Sequence, residues 1–335
     1  MSSARRVTIH DVASAAGVSV ATVSKVINSR YGVAASTFER VQRVIDDLGY
    51  ESSLVARTLR SRRTGVIGIL VADFEPFSTE LLKGAARAVR SSGYELVAYS
   101  AGGAGREQPG WERRYLNRLS GTLIDGAVLV TPTVVDVGYS APVVAVDPHT
   151  GHPDMPTIVS DNLHGAVLAT EHLISLGHSR IAFLAGRADL ESAQLRETGF
   201  RQAMAAAGIP VDERLVRAAE YETETADLAA HALLEGPERP TAVFAANDLS
   251  AIQTIAVAHS LGLSVPADLS VVGFDNIPES AMCEPTLTTI DQPIQEMGFQ
   301  AVHMLLELIG ERPLESTHLT LPTELVRRRS TTELG

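Results

Sequence analysis

The sequence predicts a small all-α helix-turn-helix head followed by a larger α/β body made of two doubly wound parallel sheets. Charge is divided unevenly: residues 1–63 carry ten Lys/Arg and five Asp/Glu, a net +5, while residues 64–335 carry −17. The head consists of short amphipathic segments closed by glycine. The body consists of continuous apolar runs separated by helical patterns, and runs without alternation are strands covered on both faces.

In the head, Thr8-Ile9-His10-Asp11 sets a capping threonine three residues before a carboxylate, a helix start resembling a capping box. Ile9, Val12, Ala13 and Ala16 follow at helical spacing, and Gly17 stops the run. Ser19 is placed to cap a second helix from Val20 to Ile27, with Val23, Val26 and Ile27 on its apolar face. Two short helices joined by a tight glycine turn form a helix-turn-helix pattern. Ser36-Thr37-Phe38-Glu39 reads as a full capping box for a third helix through Val41, Val44, Ile45 and Leu48, closed by Gly49. Ser19, Thr22, Ser24, Lys25 and Asn28 fall on the exposed side of the second helix. Short hydroxyl and amide groups let a helix approach a DNA groove closely, and a basic head can neutralise a polyanion that an acidic body repels.

The body begins at Gly65. Strands are expected at 66–71, 95–99, 127–130, 143–146, 181–185, 241–246 and 269–274, and helices at 79–91, 111–119, 163–176, 196–207 and 249–261. Two such sheets create a cleft at the C-terminal ends of their strands, where ligands bind in open α/β folds. Polar residues stand there: Asp147 after Val143–Val146, Asn247-Asp248 after Val243–Ala246, and Asp275-Asn276 after Val271–Phe274. Capping of the following helix is the preferred reading for Asp248 and Asn276.

Several function classes are disfavoured. With 45% hydrophobic and 20% charged residues the composition is that of a globular protein. No apolar run reaches the roughly 20 residues that span a bilayer, and Met1–Asp11 holds no apolar signal core, so a cytoplasmic protein without membrane contact is expected. The single cysteine, Cys283, allows no internal disulfide and no cysteine-based zinc site. Gly102-Gly103-Ala104-Gly105 follows a strand, but Gln108 holds the last glycine position of a dinucleotide fingerprint. Phosphate-loop, nucleophile-elbow and zinc-protease motifs are missing. No catalytic residue, cofactor or metal is expected, and Trp111 is read as helix packing.

Val7–Ala13, Ala16–Asn28 and Ala56-Arg57-Thr58-Leu59-Arg60 closely resemble the headpiece of the LacI/GalR family of bacterial transcriptional regulators. Gly177–Ala182, Leu195–Phe200, Ala246-Asn247-Asp248, Val272–Asn276 and Leu287–Pro293 resemble that family's regulatory domain, so the likeness covers almost the whole chain. The resemblance implies a periplasmic-binding-protein type I fold with three crossovers between lobes. It divides the chain into a headpiece at 1–52, a hinge helix and linker at 53–63, and an effector-binding and dimerisation domain at 64–335. Within that domain the N-lobe spans 64–161 and 292–323, and the C-lobe 162–291 and 324–335.

Carried onto these positions, the family's base-reading residues fall on Val20, Ala21 and Lys25, and its phosphate grips on Thr8, Ser19, Thr22, Ser24 and Asn28. In the hinge, Leu59 takes the place of a minor-groove wedge, Ala56 sits against the groove, and Arg57 and Arg60 supply charge. Where many relatives have a proline before the hinge helix, this chain has Glu51-Ser52-Ser53. For the effector, Arg196 and Asp275 are the main candidates, Tyr221 is the stacking aromatic, and Phe77 and Ser78 line the opposing lobe. Asp147, Asn247 and Gln292 are secondary candidates. Ser78 stands where relatives often have an aromatic, which suggests a roomier pocket suited to an oligosaccharide. The chain lacks the family's leucine-heptad tail, so a homodimer on a palindromic operator is expected. The function implied is a sequence-specific regulator, foremost a repressor controlled by a sugar. A sugar-binding transport protein and a corepressor-dependent regulator of non-sugar metabolism are the alternatives.

Overall fold

The computed structural model describes residues 7–27, 31–50, 63–102, 110–133, 141–149, 155–236 and 238–335. The expected roles of Asn28, Ala56, Arg57, Leu59 and Arg60 lie outside the described residues. The chain divides into two compact units, Met1–Thr64 and Gly65–Gly335.

In the first unit, helix α1 (Ile9–Ala16) starts at a complete capping box. The Thr8 hydroxyl accepts from the Asp11 N–H at 3.4 Å, and the Asp11 carboxylate accepts from the Thr8 N–H at 2.8 Å. Gly17, at φ +64°, closes the helix by donating to Ala13 and Ser14, a left-handed cap that glycine adopts without strain. Ser19 starts α2 (Val20–Ile27), its hydroxyl accepting from the Thr22 N–H at 3.1 Å. Val12, Ala13, Ala16, Val23, Val26 and Val41 form the core of this unit. Helix α3 (Ala35–Leu48) departs from the expected capping box. It starts after Ala34, which makes no side-chain cap bond. The extended backbone at Ala34 (φ −63°, ψ 143°) sets the start two residues too early for Ser36 to cap, so Ser36 and Glu39 lie inside the helix.

The second unit holds two six-stranded sheets. The first contains β1 (Val66–Val71), β2 (Glu95–Ser100), β3 (Gly126–Val130), β4 (Val143–Val146), β5 (Thr157–Ser160) and β11 (His318–Leu321) in the order β11-β5-β4-β3-β1-β2, all parallel. The second contains β6 (Ile181–Ala185), β7 (Val216–Ala218), β8 (Ala242–Ala245), β9 (Ser270–Asp275), β10 (Thr288–Asp291) and β12 (Glu324–Val326) in the order β12-β10-β9-β8-β6-β7. Only β12 runs antiparallel in it. The chain therefore crosses between lobes three times: after β5, after β10, and between β11 and β12.

Helices cover the sheets, as buried parallel strands require. In the first lobe α4 (Pro76–Val89) and the long helix Ile294–Ile309 pack on β1, β3, β4 and β5 through Leu81, Ala85, Met297, Val302 and Leu305. These two helices meet at glycines. A Cβ on Gly84 would collide with the Gln295 carbonyl, and one on Gly298 with the Leu81 carbonyl. In the second lobe, Asn162–Ser175 and Glu191–Ala206 cover one face of the sheet around Phe183, Phe200, Phe244 and Phe274. Thr223–Leu234 and Asp248–Ser260 cover the other. The C-terminal segment straps the second sheet: the Ser330 hydroxyl donates to the Val271 carbonyl at 2.5 Å and accepts from the Thr288 N–H at 2.8 Å.

Candidate functional site: a cavity between the lobes and an exposed helix of the headpiece

Between the lobes, at the C-terminal ends of the strands, lies a cavity partly open to solvent. The first lobe contributes Ala72, Glu75, Phe77, Thr131 and Asp147; the second contributes Arg187, Leu190, Ser192, Arg196, Tyr221, Asn247 and Asp275. The backbone at this wall is unusual. Thr131, Asp147, Tyr221 and Asp275 all adopt positive φ, at 46°, 49°, 64° and 109°. Each is a non-glycine residue held in a sparsely populated region, and such strain concentrates at ligand-binding walls.

Arg196, 4% exposed, is the hub of the wall. Its Nη1 donates to Asp275 Oδ1 at 3.1 Å and to the Ala246 carbonyl at 2.5 Å. Nε donates to Asn162 Oδ1 at 2.8 Å and Nη2 to Gln292 Oε1 at 3.2 Å, while the guanidinium lies 3.8 Å from the centre of the Phe274 ring. A guanidinium has five N–H donors, so the protein itself engages four and little of the fork is left for a ligand. Its leading effect is to organise the carboxylates beside it.

Burial pushes the Asp275 carboxyl up to about 7, Arg196 working against that and Asp147 with it. Asp147 is also raised, chiefly by burial, with Arg196 opposing. Tyr221 is pushed up to about 12 by burial. Ser192 acts on its ionisation, yet the Tyr221 hydroxyl is buried with no hydrogen-bond partner among the described residues. An unpaired buried hydroxyl costs stability, and a ligand acceptor in the cavity would satisfy it.

Six of the eight effector candidates, Phe77, Asp147, Arg196, Tyr221, Asn247 and Asp275, come together here, but two read from sequence stand apart. Ser78 is 3% exposed on α4 and is not part of the cavity wall, so its size does not widen the pocket. Phe77 beside it does line the wall. Gln292, 2% exposed, lies behind the wall: its side-chain oxygen accepts from Arg196 and from the Ser160 hydroxyl, and its amide donates to Asp275 at 3.3 Å. Asn247 lines the cavity and also caps the helix Asp248–Ser260, its Oδ1 accepting from the Ser250 N–H at 3.1 Å.

The capping roles expected for Asp248 and Asn276 are not observed. Asp248, fully buried and raised well above the usual carboxylate range by that burial, accepts from the Ile277 N–H at 2.9 Å and the Thr289 hydroxyl at 2.5 Å. Asn276 donates to Asp291 at 2.7 Å and accepts from Arg328 at 2.6 Å. Both tie strand ends together: Asn247, one residue before Asp248, holds the cap of the helix Asp248–Ser260, and Ile277 holds the cap position of the short turn after Asn276. The wall residues not read from sequence were Ala72, Glu75, Thr131, Arg187, Leu190 and Ser192. Ala72 and Thr131 directly follow β1 and β3, so the strand-end rule that finds Asp147 also marks them.

In the headpiece, Ser19, Ala21 and Lys25 are exposed and Val20, Thr22 and Ser24 partly so, giving α2 one accessible face. The Ser19 and Thr22 hydroxyls lie 2.9 Å apart. Thr8, also exposed, donates its hydroxyl to Asp11 at 2.7 Å. Among the described residues no group of three or more His, Cys, Asp or Glu gathers as a metal site, and no helix is long and apolar enough to cross a membrane.

Residues 8–53 match the bacterial regulatory proteins of the lacI family, and residues 170–331 match the periplasmic binding protein-like domain. The chain is 35% identical to the ribose operon repressor of Halalkalibacterium halodurans over 328 residues, 97% of each chain. It is 35% identical to the HTH-type transcriptional repressor PurR of Vibrio atlanticus over 338 residues, 98% of this chain and 99% of the other. A transcriptional regulator CelR–cellobiose complex superposes with a TM-score of 0.72 at 32% identity, covering 97% of this chain and 100% of that one. The Lac repressor dimer bound to operator and the anti-inducer ONPF superposes with a TM-score of 0.85 at 27% identity, over 98% and 100%. With a helix-turn-helix unit at its N terminus and a two-lobed α/β unit after it, matched along nearly its full length, the chain belongs to the lacI family of bacterial regulatory proteins.

Proposed function

We propose that this protein is a transcriptional repressor that binds a palindromic operator as a homodimer and responds to a sugar held between its lobes. The observation that carries the effector half is the cavity wall itself. Two buried carboxylates, an organising arginine and an aromatic with an unpaired hydroxyl converge there from both lobes. Hydroxyl-rich ligands supply further donors to Asp147 and Asp275 and an acceptor for Tyr221. The names of similar proteins point the same way: CelR is complexed with cellobiose, and another lacI-family regulator, 27% identical, with ribose.

A ligand touching both lobes favours one lobe arrangement, and it shifts DNA binding only to the extent that the two arrangements differ in operator affinity. On DNA, α2 enters the major groove. Lys25 reads a base edge there, Val20 and Ala21 meet thymine methyls, and Thr8, Ser19, Thr22, Ser24 and Asn28 hold phosphates. Residues 1–52 then form the headpiece and 53–63 the hinge, where Leu59 wedges into the minor groove beside Ala56, Arg57 and Arg60. Residues 64–335 sense the effector. Such a protein works in the cytoplasm, on the chromosome.

Selection of genomic fragments by the purified protein, followed by footprinting at stated salt, tests this reading. A short palindrome is expected, with Lys25→Ala weakening it and relaxing its sequence preference, and with a sugar processed by the neighbouring genes releasing it. Binding that is equal on all fragments at every salt concentration would overturn it.

A further inference from the structure

At the mouth of the cavity stands a cluster for which neither the wall nor the headpiece has a use. Arg187, on the segment between β6 and the helix Glu191–Ala206, lines the cavity. Its Nε and Nη2 donate to the two carboxylate oxygens of Asp189 at 3.1 and 2.8 Å, a bidentate pair. The same Asp189 Oδ2 lies 3.1 Å from Nδ1 of His149. His149 belongs to the other lobe, three residues past β4, and is 6% exposed. The backbone adds a second tie, since the Glu191 N–H donates to the His149 carbonyl at 3.0 Å.

Both halves of this contact are anchored in their own lobes. The His149 N–H donates to the Pro132 carbonyl at 3.1 Å. On the other side, the Leu190 N–H donates to the Arg187 carbonyl at 3.1 Å and the Gln194 amide to the Ala188 carbonyl at 2.8 Å. The protonation states suit the contact. Burial works to raise Asp189, but its bonds to Arg187 prevail and hold it below the usual carboxylate range. Burial keeps His149 below its ordinary value, against the pull of Asp189. A neutral imidazole with its proton on Nδ1 then donates to a carboxylate, a hydrogen bond stronger than one between neutral groups.

We propose that Asp189 is the positioning residue of an interlobe clasp, holding the Arg187 guanidinium against the cavity and, through His149, holding the two lobes together at its mouth. The clasp makes one side chain answer to two demands. A ligand oxygen that draws on the remaining donors of Arg187 pulls on the same guanidinium that Asp189 holds, so filling the cavity changes the grip between the lobes. This deepens the effector-site reading above and rests on it for its regulatory meaning, but its test needs neither DNA nor effector.

The test is single-molecule energy transfer between dyes on exposed positions of the two lobes, Glu315→Cys and Glu224→Cys, in a Cys283→Ser background. Excess unlabelled chain ensures that no dimer carries two labelled copies. The parent gives one dominant transfer population and a minor, separated one. Asp189→Ala and His149→Ala each raise a second, separated population roughly fivefold, the factor that about 1 kcal/mol makes, and the double variant raises it no further, because both remove the same bond. Glu296→Ala, which breaks an ion pair with Arg87 within the first lobe, leaves the parent distribution unchanged. Asp189 is half-exposed, so its variant folds even where the loss of buried His149 does not, and a thermal melt confirms this. Asp189→Ala superimposing on the parent, or Glu296→Ala shifting the distribution equally, overturns the clasp.

Discussion

Asp275 shows how far the surroundings of one side chain decide its chemistry. Its ion pair with Arg196 at 3.1 Å would ordinarily lower a carboxyl. Burial outweighs the pair and pushes the group up to about 7. The sign of the consequence follows from linkage: between about pH 4 and pH 7 the folded chain binds a proton that the unfolded chain has released, so this group withdraws stability as pH rises through that window. Asp275→Asn removes the dependence. Urea midpoints for both chains at about pH 5 and pH 8 are expected to show the parent losing stability relative to the variant at the higher pH. Asp147, Arg196, Tyr221, Asn247 and Asp275 were legible from strand ends or from resemblance. Ser78 was not, because one step along a helix turns a side chain by about 100°, from the cavity at Phe77 into the packed interior.

For elements, the legible ones were those with a continuous apolar run: β1, β3, β4, β8 and β9 are buried along their whole length. Strands β5, β7, β10, β11 and β12 have only three or four residues each, and β7, β11 and β12 are half-buried or exposed. Such short pieces are paired by the sheet and carry little pattern of their own. The start of α3 escaped for a different reason, because a capping signature states a preference that the preceding backbone can overrule. The glycine contacts between the helices Pro76–Val89 and Ile294–Ile309 were equally invisible, since closeness between distant segments leaves no local mark. Gly84→Ala forces the Gln295 backbone outward. It is expected to cost about 1–3 kcal/mol, read as a lowered urea midpoint, while Gly93→Ala, where an added Cβ meets nothing, costs only its strain at positive φ.

Over the whole molecule, charge separates the two tasks. The first 63 residues are net positive by five and the remainder net negative by 17, so attraction to a phosphate backbone is confined to the N-terminal unit and opposed elsewhere. Operator affinity is therefore expected to fall steeply with salt, by roughly 10³-fold between about 50 and 200 mM if about six phosphates are neutralised. Residues 65–335 alone should retain nothing on DNA at either concentration. Filter binding or anisotropy with the selected operator measures both.

The three crossovers also carry a consequence for synthesis. Because β11 and β12 form edges of different sheets and lie within residues 318–326, neither lobe is complete until almost the entire chain has left the ribosome. The helix-turn-helix unit, by contrast, is whole after its first 64 residues. A message truncated anywhere between those points encodes a finished DNA-reading unit attached to two unfinished lobes, so such a fragment carries the helix-turn-helix without the part that pairs the copies or answers to a ligand.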